Sequence, residues 1–229
     1  MTQMTDEQLH ESYVAKMGEE LGQTFSALER ELTWMYWRWM QHRTLFGEKP
    51  KRIDLLNETA SFFFYIVNEV FFENAILGIA RLTAGKNSGG RAALTVQRLP
   101  DLVDPQLRVE LQPLVDEAVS AAKFALDWRN NHIAHRSLKR VLGDEKVAPL
   151  PAATRDNVEK AFGALRAVLN CVERFYCKGV TAYEYPPLEG ARALLYVLSD
   201  GIVRREERAA AWRRNEKYPR AQSVNSTFQ

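Results

Sequence analysis

The sequence predicts an all-α protein built as an antiparallel helical bundle, and three observations carry that reading. Apolar residues recur at helical spacing along almost the whole chain. Only the short stretch Val180–Tyr185 alternates well enough to suggest a strand. The breaks between periodic segments are short and marked by glycine and proline, and short connections join neighbouring helices antiparallel.

The first periodic segment runs from about Glu7 to Arg43, with Gly18 and Gly22 weakening its start. Gly47-Glu48-Lys49-Pro50 reads as a turn. A second long helix is expected from Pro50 to Ala84, dense in aromatics: Phe62, Phe63, Phe64, Tyr65, Phe71 and Phe72. Apolar residues on nearly all its sides predict a central, buried helix. Gly85–Gly90 is a loop, and a short helix over Ala92–Leu99 is expected to end at Pro100. Pro105 opens a third long helix reaching about Leu142, with Pro113 as its kink or break. After a loop over Gly143–Pro151, a fourth helix covers Ala153–Cys177. Gly179–Pro187 is irregular, and a last helix covers about Leu188–Arg213. No repeat or linker divides the chain, so residues 1–215 read as one helical domain and 216–229 as a polar, disordered tail.

Composition narrows the classes. Hydrophobic residues are 46% and charged residues 26% of 229, which suits a globular core rather than a disordered chain. Net charge is only +2, but it is unevenly spread. Residues 1–33 carry seven acids against Lys16 and Arg30, whereas residues 204–220 carry seven bases against three acids. Such asymmetry points to interaction surfaces. Cys171 and Cys177 lie on one helix, about 9 Å apart by helical rise, too far to bridge directly. Two unbridged thiols suit a reducing cytoplasm. The acidic N-terminus is unlike a signal peptide. The apolar stretch Ala60–Leu82 is interrupted by Asn68, Glu69, Glu73, Asn74 and Arg81, which argues against a membrane span.

Chemistry concentrates in Asp127-Trp128-Arg129-Asn130-Asn131-His132-Ile133-Ala134-His135-Arg136. On a wheel of about 100° per residue, Phe124, Trp128, Asn131, His135, Leu138 and Leu142 form one packing seam. Asn131 and His135 therefore fall on an apolar stripe and need polar partners there. Arg129, His132 and Arg136 share a second face. Arg129 and His135 stand about 120° apart on that wheel, so a ligand between them needs a second surface to close over it.

Arg129-Asn130 followed by His135 resembles the Arg-polar-x(n)-His signature of the HEPN superfamily, and Trp-Arg-Asn-x-His-Ile-Ala-His is similar to its abortive-infection AbiU-type branch. The aromatic helix ending in Arg81-Leu82-Thr83 matches that branch as well, so the resemblance covers roughly residues 20–177. Ala84 and Ser137 depart from it, because the branch places acids there. The resemblance implies a HEPN-like four-helix core with additional terminal helices, and a homodimer that brings two motifs together. It also implies metal-independent RNA cleavage in phage defence or as a toxin, with an antitoxin as a further partner. The roles it implies are chemically coherent. A neutral His135 accepts a proton from a ribose 2′-hydroxyl, the Arg129 fork clamps phosphate, and Asn130 is an orienting amide. Asn131, His132 and Arg136 are accessory or binding residues.

Other readings compete with each residue. His135 suits a core histidine bonded to a backbone carbonyl, and Arg129 and Arg136 suit ion pairs with acids such as Glu173. The whole motif suits a HEPN-like module that keeps its fold and binds a nucleotide or partner without cleaving RNA, as Ala84 and Ser137 suggest. His132 and His135 lack the i,i+4 spacing and nearby acid of helical zinc pairs, so neither metal nor other cofactor is expected. Trp34, Trp37 and Trp39 offer either a base-stacking platform or core packing; their spread directions on a helix favour packing. The Arg204–Arg220 region offers either an RNA phosphate contact or a solvated helix face.

Overall fold

The computed structural model describes residues 5–47, 49–88, 90–133, 150–183 and 190–214. Helix α1 (Asp6–Met17) starts in a capping box, with Thr5 and Gln8 each satisfying the other's backbone N–H. Gly18 adopts φ 83 and ends the helix, and α2 (Glu19–Phe46) begins at the next residue. The expected single helix is therefore two, folded back on each other. Gly22 is what lets them meet: a Cβ there would lie 2.5 Å from the Val14 Cα. Along α2, Phe25, Leu28, Leu32, Met35 and Trp39 form a buried stripe at helical spacing.

Helix α3 (Pro50–Leu82) opens with proline in its first turn and is interrupted at Ala60, whose φ −162, ψ 70 is not helical. Its C-terminal part supplies Ala75, Ile76, Ile79, Ala80 and Leu82 to the main core. Gly78 admits the Met35 side chain, whose Sδ would lie 2.7 Å from an added Cβ. The N-terminal part joins a smaller cluster of Leu45, Leu56, Phe64, Ala191 and Leu195. Contrary to a buried central helix, α3 leaves Phe62 75%, Phe63 59%, Tyr65 57% and Val70 59% exposed. By length and composition alone α3 would suffice to cross a membrane.

A two-residue antiparallel ladder, β1 (Asn87–Ser88) with β2 (Arg91–Ala92), pins the loop where no strand was expected. Instead of a helix ending at Pro100, a 3-10 turn (Val96–Arg98) leads into α4 (Leu99–Leu102) with Pro100 in its first turn. Asp104 caps α5 (Pro105–Ala121), donating no proton but accepting the Gln106 N–H at 2.8 Å. Pro113 sits inside α5 without breaking it. The break falls instead at the fully buried Ala122, before α6 (Lys123–Trp128) and a π-helical turn (Arg129–Ile133).

Helix α7 (Arg155–Cys177) is capped by Thr154 and buries Val158, Phe162, Leu165, Val168, Leu169 and Val172 on one face. It packs most extensively on α5. Lys178 ends it with φ 56, left-handed backbone where glycine is usual. Cys171 and Cys177 are free thiols. Residues 180–183 form no strand, and the remainder of Val180–Tyr185 lies outside the described residues. Helix α8 (Gly190–Arg213) packs on α2 and α3. The architecture is thus an all-α bundle with one minimal ladder among the described residues.

Candidate functional site

The motif enters on α6 and leaves the α-helical register within it. Asn131 donates its side-chain amide to the Asp127 carbonyl at 3.0 Å. That oxygen is the acceptor an α-helix would give to the Asn131 backbone N–H, so the side chain competes with the ladder. The turn widens to π geometry over Arg129–Ile133, and such turns cluster at functional sites. The wheel drawn for a uniform α-helix therefore does not hold past Trp128. Asn131 is half-buried and finds its polar partner in its own backbone rather than across the core.

Two contacts fix the turn. The Trp128 indole donates to the Pro151 carbonyl at 2.8 Å, tying the start of the α7 approach to the motif. The His132 ring meets the Trp128 ring edge-on, with centroids 5.0 Å apart and an interplanar angle of 70°. Both α6 and the π turn pack against α3.

Arg129 and Asn130 are brought into direct contact. The guanidinium donates Nε and Nη2 to Asn130 Oδ1, at 3.0 and 2.9 Å. The Asn130 oxygen holds one edge of the fork, leaving Nη1 and the Asn130 NH2 group as donors toward an anion. Glu173 is not the partner of Arg129. It is buried against α1 and the segment after α7, accepting from the Tyr13 hydroxyl at 3.1 Å and the Thr181 N–H at 2.7 Å. His135, Arg136 and Ser137 lie outside the described residues. Ala84, at the end of α3, contributes its carbonyl oxygen to Thr95 Oγ1 at 2.7 Å and Gln97 Nε2 at 3.0 Å.

Several polar groups were not singled out from sequence. His42 is buried, stacked on Trp39 at 4.7 Å, and its Nε2 donates to Asn68 Oδ1 at 2.9 Å. Burial lowers its pKa, so the neutral ring is favoured. Glu29 and Glu173 are buried carboxylates, and burial raises the Glu29 carboxyl above its ordinary range. The signal was their place within apolar stripes: Glu29 follows Leu28 on α2, and Glu173 follows Val172 on α7. Trp34 and Trp37 meet edge-on at 5.2 Å beside Glu29, whereas Trp39 is buried in the core, so packing accounts for only part of that cluster. On α8, Arg204 pairs with Glu207 at 3.2 Å and Arg205 with Glu58, the arrangement of a solvated face.

The described residues thus form an all-α bundle in which Arg129 and Asn130 meet on a π turn. A family model described as AbiU2 (HEPN_AbiU2) matches residues 18–186. The chain belongs to this abortive-infection HEPN family. No curated protein and no solved structure matches it.

Proposed function

We propose that the chain is a metal-independent endoribonuclease of the phage-defence or toxin type, acting in the cytoplasm as a homodimer. The observation that carries this reading is the Arg129–Asn130 unit on a π turn. It supplies a fixed cation and aligned N–H donors for a phosphate whose charge grows in the transition state. His135 takes the proton of a ribose 2′-hydroxyl. The freed oxygen attacks the adjacent phosphorus, the bond to the 5′-oxygen breaks, and that oxygen receives a proton. The products are a 2′,3′-cyclic phosphate and a 5′-hydroxyl. The 2′-hydroxyl requirement restricts cleavage to RNA.

A dimer would bring a second copy of the motif and a surface to close over the first. The exposed Phe62, Phe63, Tyr65 and Val70 lie on α3, the helix against which the π turn packs. A patch of this kind marks an interaction surface, and a second copy of the chain would present the same patch. The test compares wild type, Arg129→Ala and His135→Ala on RNA with EDTA present. Cleavage by wild type alone supports the reading. Equal cleavage by all three removes both residues from the mechanism, and loss on chelation removes the metal-free chemistry.

Ala84 favours a second reading, a HEPN-like binding module without nuclease activity. Where the family pattern places an acid, this residue offers only a backbone carbonyl to Thr95 and Gln97. Stability separates the two. A His135→Ala variant destabilised by several kcal/mol marks a structural histidine (about 1–3 kcal/mol for each orphaned buried group). An equally stable variant that no longer harms cells marks a catalytic one.

A further inference from the structure

His42 of α2 is 6% exposed and sits in a box of aromatic rings. Trp39 stacks on it, with centroids 4.7 Å apart and planes at 17°. Phe46 lies at 5.3 Å, and Phe72 and Phe71 of α3 lie at 6.1 and 6.4 Å. Inside this box Nε2 donates to Asn68 Oδ1 at 2.9 Å, a polar tie from α2 to α3. Nδ1 carries a lone pair on the neutral ring and a second N–H on the imidazolium, and no group among the described residues bonds it. The surrounding charges do not compensate a cation. Arg155, which opens α7, acts on the ring as a like charge. Arg43, next along α2, is paired with Glu159 of α7 at 3.2 Å. From α3 come the Asn68 amide and phenyl rings, and α8 meets α2 beside the ring, where Gln41 accepts the Ala191 N–H. No carboxylate bonds the ring among the described residues. The Trp39 face offsets part of an added charge, but burial first, and Arg155 with it, opposes protonation in place.

The tie stands beside a joint in α3. Ala60 is non-helical, and a half-open cleft of about 260 Å³ is lined by Leu56 and Asn57 before that interruption and by Phe64 and Asn68 after it. Asn68 therefore bounds both the box and the cleft. We propose that His42 is a pH-sensitive latch: on protonation the imidazolium leaves the aromatic box toward this cleft, and α3 loosens from α2 around the Ala60 interruption. The latch holds the neutral ring above the ordinary histidine value of about 6.5. As pH falls below that value the unfolded or opened ring takes up a proton that the closed box resists, so closure is lost progressively down to the lower value of the folded ring. The device acts on the helix that carries the exposed Phe62 and Phe63. It does not depend on whether the chain cleaves RNA.

The test is hydrogen exchange of the full chain, read on the amides of residues 60–72 at about pH 7.5 and about pH 5.5 and corrected for intrinsic rates. In wild type each pH unit below the ordinary histidine value should favour opening about tenfold, until the folded ring itself titrates. His42→Gln keeps a donor for Asn68 but cannot titrate, so opening of α3 should depend on pH far less in this variant. If it does not fold, an NMR titration of the wild-type His42 ring carries the test. The ring is then expected to titrate below its ordinary value, with the α3 amide signals changing over the same pH range. Equal acid-driven opening in His42→Gln, or a ring that titrates at the ordinary value while α3 stays unchanged, overturns the proposal.

Discussion

Asn131 takes the Asp127 carbonyl with its side chain, and the backbone around Arg129 follows. Replacing it should let α6 continue as ordinary α-helix and turn the Arg129–Asn130 pair away from its present direction. We expect Asn131→Ala to change stability by no more than about 0.5 kcal/mol while lowering RNA cleavage about tenfold, through misplacement of the clamp. Thermal melts and cleavage rates measured together check this; unchanged cleavage would detach the π turn from function. Glu29 gives a prediction of different kind. Burial raises its pKa in the folded chain, so ionising it opposes folding. Its unfavourable contribution is absent at pH values below the unfolded pKa. It grows as pH rises toward the folded pKa and persists above it. Glu29→Gln should therefore melt higher than wild type at pH 8, with the difference vanishing near pH 4. An equal or lower Tm at pH 8 would contradict the assignment. Asn131 was not legible from spacing: a wheel assigns it to a face but does not register a side chain that intercepts its own helix. Glu29 does fall within an apolar stripe, but spacing does not show that Gly18 turns α1 over it.

Proline and glycine marked some breaks and misled at others. Gly18, Pro50 and Pro105 coincide with real helix boundaries, where a missing Cβ or a fixed φ suits the local backbone. Pro113 breaks nothing, and the breaks at Ala60 and Ala122 fall on a residue with no local breaking signal. At Ala122 tertiary packing decides, since Ala118, Ala122 and Ala125 are all fully buried. The exposure of α3 was hidden for a related reason: apolar residues on every side say that a helix wants partners, not that one chain supplies them. The same helix carries the element-scale test. Phe62→Ser with Phe63→Ser should yield folded monomer in sedimentation with loss of cleavage, and should lower the Tm only by what dimerisation contributes, because both rings are exposed within one chain. A dimer that survives would place the interface elsewhere. At the end of α7, Lys178→Gly should stabilise by about 1 kcal/mol by relieving left-handed backbone on a β-carbon residue.

Across the whole molecule, the main core follows the helical stripes read from sequence. Leu165, fully buried on α7, should cost about 2–5 kcal/mol when cut to alanine. Part of the excess of acids in residues 1–33 also acquires a location: Asp6, Glu7 and Glu29 line one open cleft beside α1 and α2. The motif itself was legible as a string, and Arg129 and Asn130 do meet. The exposed side of α3, on which the proposed dimer rests, is not revealed by periodicity. The central claim is that this chain cuts RNA through its own side chains. Its most direct measurement is the end chemistry of RNA incubated with the purified protein in EDTA. Fragments ending in 2′,3′-cyclic phosphate and 5′-hydroxyl, formed by wild type and not by His135→Ala, are the predicted result. Intact RNA, or cleavage that needs a divalent metal and leaves 5′-phosphates, would contradict it.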